Sequence, residues 1–234
     1  VQGMLPGIVQ QLLERSAESA VFTMIPKTGK VQSFVGGVTG KDYQIVVLVN
    51  EESASAAEVL AASLKYYGGY EVYGIPTYGK GVYQNSIHLR DIQGVRYSLT
   101  YTEGEWFYDQ GKNVAVDPIE VIEIIQSGIK MLDLPVYQGE VNYNSVSLSL
   151  VEYQHFLNYY YGLEGVSAIR TDGYLDTETR DLIAQFQSDE FLPITEKLDL
   201  LTARRIHEIF KTDHQNIDLD HQLQTLIAIL KGDE

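Results

Sequence analysis

Two serines and one lysine in the first third of the chain have the residue types needed for acyl transfer. Ser53 and Ser55 lie in the segment NEESASAAE, and Lys80 lies between two glycines in TYGKGVYQ. A serine hydroxyl is a weak nucleophile and needs a base beside it. The usual base is histidine, but His88 is the only histidine before residue 138. Lysine can replace it where burial lowers the pKa of the amine enough to keep it neutral.

The same residues also have purely structural explanations. Serine is a favoured helix N-cap, and Glu58 in the first turn complements the helix dipole. Gly79 and Gly81 permit a tight turn that either aims Lys80 inward or leaves it in solvent. The spacing from Gly74 to Lys80 also matches a phosphate-binding loop, but Gly81 stands where a Mg²⁺-binding Ser or Thr is required, and a strand pattern follows. This mismatch argues against nucleotide binding, whereas capping and catalysis both remain open.

Regular elements are predicted on either side of these residues. The apolar run 44–50 is typical of a strand buried on both faces, and it leads into the helix SASAAEVLAASLKYY, which Gly68 and Gly69 end. A serine at such a junction lies where backbone N–H groups converge and can stabilise an oxyanion. Further strands are predicted at 20–25, 31–36, 71–74, 82–89 and 95–101, with a helix at 4–15. Strands interleaved with helices favour a mixed α/β layer structure up to residue 137.

A second region follows the polar segment QGEVNYNSVS, and it is more acidic than the first. Helices are predicted at 148–161, 177–189, 200–211 and 219–230. The pair Leu175-Asp176 recurs as Leu198-Asp199, each time ahead of an amphipathic helix, so helix capping explains the repeat. We therefore predict two domains, 1–137 and 138–234.

Composition excludes several classes of function. The chain has 17 Lys and Arg against 32 Asp and Glu, a net charge of −15, which argues against nucleic acid or an anionic membrane surface as the main partner. It has no cysteine, which rules out disulfides, thiolate metal sites and a cysteine nucleophile. The histidines lack metal-ligand spacing, so we predict no metal and no cofactor. Apolar runs are too short to span a bilayer, and the chain starts without a signal pattern.

The two motifs together resemble those of the C-terminal processing peptidases, or tail-specific proteases, which are serine peptidases with a Ser-Lys dyad. The family pattern N-x-x-S-A-S-A-x-E precedes T-F-G-K-G-x-x-Q, and this chain has NEESASAAE and TYGKGVYQ, with Tyr78 in place of Phe. The resemblance implies that Ser55 is the nucleophile, Lys80 its general base, and Gln84 the residue that holds the lysine. It also implies a crotonase/ClpP-like α/β protease core, of which 1–137 is the later part.

The resemblance assigns supporting roles as well. The backbone N–H of Ala56 would contribute to the oxyanion hole, and Ser53 and Glu58 would be structural. The second oxyanion donor of the family comes from an N-P-G-G turn that falls at the start of this chain, where Gly3 is the candidate. We expect Trp106 to be a packed core or groove aromatic. The PDZ domain that normally precedes these motifs is not recognisable in this sequence.

The segment DGYLDTETRDLIAQFQ, residues 172–187, resembles peptidoglycan-binding-like helical modules found at the C-terminus of some of these peptidases. The name describes a fold, and we expect its Phe-Gln pair to be core plus surface. The last helix carries a stripe of Leu223, Leu226, Ile227 and Leu230 that could dock on its own domain or on another subunit.

The resemblance implies the partners and the location. We expect unstructured C-terminal tails of proteins as substrates, a homodimer, the cell wall as a further candidate partner, and no nucleic acid. The expected location is extracytoplasmic, in a bacterial cell envelope, with an anchor that lies outside this chain. The alternative is an inactive scaffold or an assembly or cell-wall-binding fragment of such a peptidase.

Overall fold

The computed structural model describes residues 4–14, 20–37 and 44–232. The chain divides into two compact units, 1–125 and 126–234. The sequence pattern places the boundary after residue 137, and the segment between these two limits packs into the second unit. Its short 3-10 turn, Gly128–Met131, buries Ile129 completely. The polar residues that follow residue 137 suggested a linker, but the apolar side chains before them belong to the second core.

The first unit is built from helices and strands in the order expected of an α/β protein. Its described elements are α1 (Leu5–Leu12), β1 (Phe22–Pro26), β2 (Gln32–Phe34), β3 (Val47–Val49), α2 (Ala56–Ala62), β4 (Val72–Gly74), β5 (Val82–Ile92), β6 (Val95–Phe107) and β7 (Ile122–Glu123). A π-helical turn, Ser63–Tyr67, continues α2 and ends at Gly68 and Gly69, as predicted. Every element predicted in this region is present and begins within a few residues of its expected start, but β5 and β6 extend beyond their expected ends.

Two sheets organise the first unit. One is antiparallel with the strand order β2-β1-β6-β5, and the other is parallel with the order β3-β4-β7. Because β3 and β4 are parallel neighbours, the chain must cross over between them, and α2 supplies that crossover. The site candidates therefore lie at the carboxyl ends of β3 and β4, where the loops 50–55 and 75–81 emerge.

The expectation that β3 is buried on both faces is wrong. Val49 is buried, but Leu48 is 39% exposed. β3 lies at the edge of its three-stranded sheet, and in the described part of the chain Leu48 stays partly open to solvent. An apolar run predicts a buried strand only when a second layer covers it, and the run itself does not contain that information.

β5 and β6 form a hairpin far longer than the predicted strands. It turns at Gln93-Gly94, and its side chains from 84 to 101 are all exposed. The exposed large side chains of this hairpin are Ile87, Leu89, Ile92, Val95, Tyr97, Leu99 and Tyr101. Only the base of the hairpin, near Tyr83 and Trp106, packs into the first unit.

The second unit is all-α among its described residues, as predicted. Its helices are α3 (Val151–Tyr160), α4 (Thr177–Asp189), α5 (Leu200–Gln215) and α6 (His221–Lys231). The repeat has the predicted capping role, because Asp176 accepts a hydrogen bond from the Thr179 N–H and Asp199 accepts one from the Thr202 N–H. An α/β region followed by an all-α region is the predicted fold class, and the structure confirms it.

Two expectations for the second unit need adjustment. Phe186 is fully buried as expected, but its neighbour Gln187 is also fully buried rather than on the surface. The Gln187 amide bonds Thr195, Thr202 and the Lys197 carbonyl, so it joins the loop before α5 to α4. The Phe-Gln pair is thus explained by folding. In α6, Leu226 is buried and Leu230 is exposed.

Candidate active site

Ser55 lies on a strained turn between a strand and a helix. The turn 50–53 is closed by Ser53, whose hydroxyl donates to the Asn50 side chain and accepts from the Asn50 N–H. Ser55 follows with φ 55° and ψ −113°, a region that residues other than glycine rarely adopt. A strand, a strained turn and a helix in this order lift a serine hydroxyl clear of the backbone. Ser53 thus has a structural role, and Ser55 has the backbone of an exposed nucleophile.

Ala56 is the first residue of α2, so its N–H has no acceptor within the helix. It directly follows the Ser55 turn and lines the same cavity. This places a free backbone donor and a serine hydroxyl on neighbouring residues, the arrangement required of an oxyanion donor. Gly3, the other predicted donor, lies outside the described residues.

Lys80 lies on the loop that follows β4, and its side chain is half-exposed. Its Nζ is 3.5 Å from Gln84 Oε1, a long hydrogen bond at the limit of useful geometry. Among the described residues no hydrogen bond joins Lys80 Nζ to Ser55 Oγ. Catalytic hydrogen bonds are often long before substrate binds, so this geometry keeps the pair available.

The Glu58 carboxylate joins the serine turn to the lysine loop. It is fully buried. Its Oε2 accepts from the Ser55 N–H at 2.7 Å and from the Lys80 N–H at 2.9 Å, while Oε1 accepts from Thr77 Oγ1 and the Gly79 N–H, each at 2.7 Å. Because one oxygen atom binds both, the Ser55 and Lys80 backbone nitrogens are less than about 6 Å apart. Four donors satisfy a charge that burial would otherwise destabilise.

The backbone around Lys80 is also fixed from the other side. The Trp106 indole N–H donates to the Lys80 carbonyl at 2.8 Å, and the Trp106 backbone N–H donates to the Gly81 carbonyl at 3.1 Å. Asn113 donates to the same Gly81 carbonyl at 3.0 Å. The motif sequence predicted Trp106 as a core or groove aromatic, which is correct, but gave no signal for Asn113.

A cavity of about 340 Å³ opens beside Ser55. Its walls combine α2 with the face of the four-stranded sheet, and they are mostly apolar. The lining includes Phe22, Met24, Phe34, Ala56, Val59 and Trp106. This volume lies within the usual range of small-ligand sites, so a substrate side chain can enter next to the serine.

The described part of the chain contains neither a candidate metal site nor a membrane-spanning helix. Among the described residues there is no cluster of three or more His, Asp or Glu side chains able to hold a metal ion. Within the same residues no helix is both long and apolar enough to cross a bilayer.

Comparison with known proteins assigns the class. Residues 7–121 match the model of peptidase family S41, and the matched region contains both motifs and most of the residues that line the cavity. Residues 7–121 therefore belong to peptidase family S41, a family of serine-type peptidases.

Individual relatives are named for C-terminal processing. The chain is 27% identical over 195 residues to the carboxy-terminal processing protease CtpB of Bacillus subtilis, which covers 81% of this chain and 38% of CtpB. It is 43% identical over 82 residues to a probable CtpA-like serine protease of Staphylococcus aureus, covering 33% of this chain and 16% of that protein. The chain thus spans less than half the length of these relatives.

A solved structure of a photosystem II D1 C-terminal processing protease aligns with a TM-score of 0.42 and 23% identity. The alignment covers 53% of this chain and 31% of that one.

Proposed function

We propose that this chain carries the nucleophile and base of a serine endopeptidase that cleaves near the C-terminus of protein substrates. The observation that supports the proposal most directly is the Glu58 carboxylate, which binds the Ser55 and Lys80 backbones through one oxygen atom. Two residues 25 positions apart are thereby held on neighbouring loops. The strained backbone of Ser55 adds independent support.

The proposed reaction begins when the uncharged Lys80 amine takes the proton from Ser55 Oγ. The oxygen attacks the substrate carbonyl carbon, and the Ala56 N–H donates to the oxyanion that forms. The C–N bond then breaks as the lysine returns its proton to the leaving amine. Water, deprotonated by the same lysine, hydrolyses the acyl-enzyme and frees the serine.

Gln84 positions the base in this scheme. Its side-chain oxygen accepts from the Lys80 ammonium, which therefore shuttles between Gln84 and Ser55 during the cycle. The Lys80 side chain must turn toward Ser55 Oγ for the first step, and its half-exposed methylene stem allows that rotation. Gly3 is the proposed second oxyanion donor.

Substitution of the serines tests the assignment. Ser55→Ala in the full-length protein should reduce cleavage of an unstructured, apolar-ended peptide to background, measured by mass spectrometry of the products. Ser53→Ala is the matched control, because it removes the hydrogen bonds to Asn50 and should cost roughly 1 kcal/mol of stability with cleavage retained. Retained activity in Ser55→Ala, or an equal loss in both variants, would reject Ser55 as the nucleophile.

The substrates, assembly and location are proposed from the relatives. A relative named for carboxy-terminal processing supports protein C-terminal tails as substrates. The proposed location outside the cytoplasm rests on the sequence resemblance. The proposed homodimer and a cell-wall-binding role of the second unit rest on the sequence resemblance alone. Sedimentation of the purified chain, and a pull-down with insoluble peptidoglycan, test these two proposals separately.

A further inference from the structure

The cavity beside Ser55 has an apolar end and a polar end. Phe22 and Phe34 pair across β1 and β2, and their rings stack with centroids 4.4 Å apart. The sheet continues through β6 to β5, where Tyr83 pairs with Gly104 and Glu103 lies at a bulge in the same ladder. All of these side chains except the glycine line the cavity. Its walls thus pass from aromatic rings to a phenol and a carboxylate.

The polar end contains two groups without partners. Tyr83 is 5% exposed, and its hydroxyl is buried with no hydrogen-bond partner in the part of the chain that the structure describes. Glu103 is half-buried, and no described side chain forms an ion pair or hydrogen bond with its carboxylate. A native structure rarely leaves a buried polar group unpaired, so the Tyr83 hydroxyl points to a missing partner. Solvent reaches Glu103, and its carboxylate is available to a ligand in the cavity.

The two groups act on each other electrostatically. Burial raises the pKa of Tyr83, and the charge of Glu103, followed by Tyr101, raises it further. The Tyr83 phenol therefore stays neutral, and it can both donate and accept. Among the described residues that line the cavity, Glu103 is the only acidic one.

The residues that line the cavity indicate which kind of ligand would fit it. The aromatic and aliphatic walls favour an apolar stem, and the unpaired carboxylate favours a cation at the end of that stem. Lysine and arginine side chains combine both features, since their methylene stems pack on apolar surface while their charged ends seek acceptors. A glutamate side chain would be repelled, and norleucine would leave Glu103 unpaired.

We propose that this cavity receives the substrate side chain next to the scissile bond, and that Glu103, assisted by Tyr83, selects lysine or arginine at that position. The inference rests on the proposed function, because it takes Ser55 as the nucleophile. It adds a specificity-determining residue outside both sequence motifs. The net charge of −15 also favours cationic substrates, in agreement with the preference attributed to Glu103.

Peptides that differ only at the cleaved position test the proposal. Four-residue peptides ending in lysine, norleucine or glutamate mimic the acyl product and should bind in the cavity. Trp106 is the only tryptophan of the chain and lines the cavity, so its fluorescence reports binding without any need for catalysis. Longer peptides with the same three residues at the cleaved position give kcat/KM for the full-length protein.

We expect lysine to exceed norleucine at least tenfold in both binding and kcat/KM, with glutamate weakest. Glu103→Gln should bring lysine and norleucine within about threefold of each other, because the amide keeps the size of the side chain and loses its charge. Glu105→Gln is the matched control. It changes an exposed carboxylate on the same strand and should preserve the lysine preference.

Each outcome has one meaning. Norleucine bound as tightly as lysine by the unmodified protein, or a lysine preference that survives in Glu103→Gln, would overturn the inference. If the fluorescence preference is present but no peptide is cleaved, the peptidase assignment fails while the cation subsite stands. If cleavage depends on Ser55 but does not vary with the residue at the cleaved position, the peptidase assignment stands and the cation subsite is rejected.

Discussion

Glu58 is expected to control both the stability of the first unit and the activity of the proposed site. Its carboxylate hydrogen bonds to both the serine turn and the lysine loop, beside one direct backbone bond from the Tyr78 N–H to the Ser53 carbonyl. Glu58→Gln replaces one acceptor oxygen with an NH₂ group. If Oε2 is replaced, the bonds from the Ser55 and Lys80 N–H groups are both lost. If Oε1 is replaced, the Thr77 hydroxyl can turn to accept from the new NH₂ group, but the Gly79 N–H then faces a donor.

The magnitude follows from those bonds. A hydrogen bond to a charged group contributes about 1.5–3 kcal/mol of unfolding free energy, so losing the Gly79 bond costs about that much, and losing both bonds to Oε2 costs about 3 kcal/mol or more. Glu58→Ala removes all four hydrogen bonds and leaves a void. The resulting loss of unfolding free energy approaches the whole stability of a small domain. Thr77→Val removes a single bond to Oε1 and should cost about 1–2 kcal/mol. The expected order is therefore Thr77→Val, then Glu58→Gln, then Glu58→Ala.

Urea unfolding and peptide cleavage measure the two effects on the same samples. At temperatures where Glu58→Gln remains folded, its kcat should still fall at least tenfold, because the variant loses either the bonds that hold the Ser55 and Lys80 backbones or the bond that holds Gly79 next to Lys80. Glu52→Gln, an exposed acid in the same motif, should match the unmodified protein in both assays. Unchanged stability and unchanged kcat in Glu58→Gln would refute the reasoning.

Two further predictions concern backbone packing and acid stability. Gly81→Ala places a Cβ 1.8 Å from the Asn113 side-chain oxygen, so it should cost about 1–3 kcal/mol in urea unfolding and slow cleavage, whereas Gly7→Ala, with open space around it, should do neither. Burial opposes ionisation of Asp199, yet hydrogen bonds from neighbouring threonines and backbone N–H groups hold its pKa below the ordinary 3.8. The stabilisation it gives is therefore complete above about pH 4 and is lost as pH falls below that value. Thermal melts from pH 7 to pH 2 should show a smaller loss for Asp199→Asn, which keeps the cap but cannot titrate. Parallel curves would contradict this assignment.

Local patterns were sufficient to predict much of the fold. α4 has the limits predicted from its periodicity, and the capping role of Asp176 and Asp199 follows from residues three positions apart. The location of Ser55 at a strand-to-helix junction was predictable for the same reason. These features depend on contacts within one or two turns of chain, which a linear sequence contains directly.

Other features depended on which elements meet. The exposure of Leu48 and of the β5–β6 hairpin depends on which elements cover each strand, and an apolar run in the sequence looks the same in either case. The domain limit near residue 126 depended on Ile129 packing into the second core rather than on the polar residues after it.

The sequence by itself determined the chemistry available to this protein, namely a serine, a lysine and a glutamine in two ordered motifs, with no cysteine to compete. Only the tertiary structure decided how they are held. Glu58 looked like a first-turn acid that favours a helix dipole, but in the fold its carboxylate also binds the loop of Lys80, 22 residues away. Glu103 became a cavity residue only because β6 pairs with β5 beside α2. Such contacts join residues distant in sequence, so no local pattern records them.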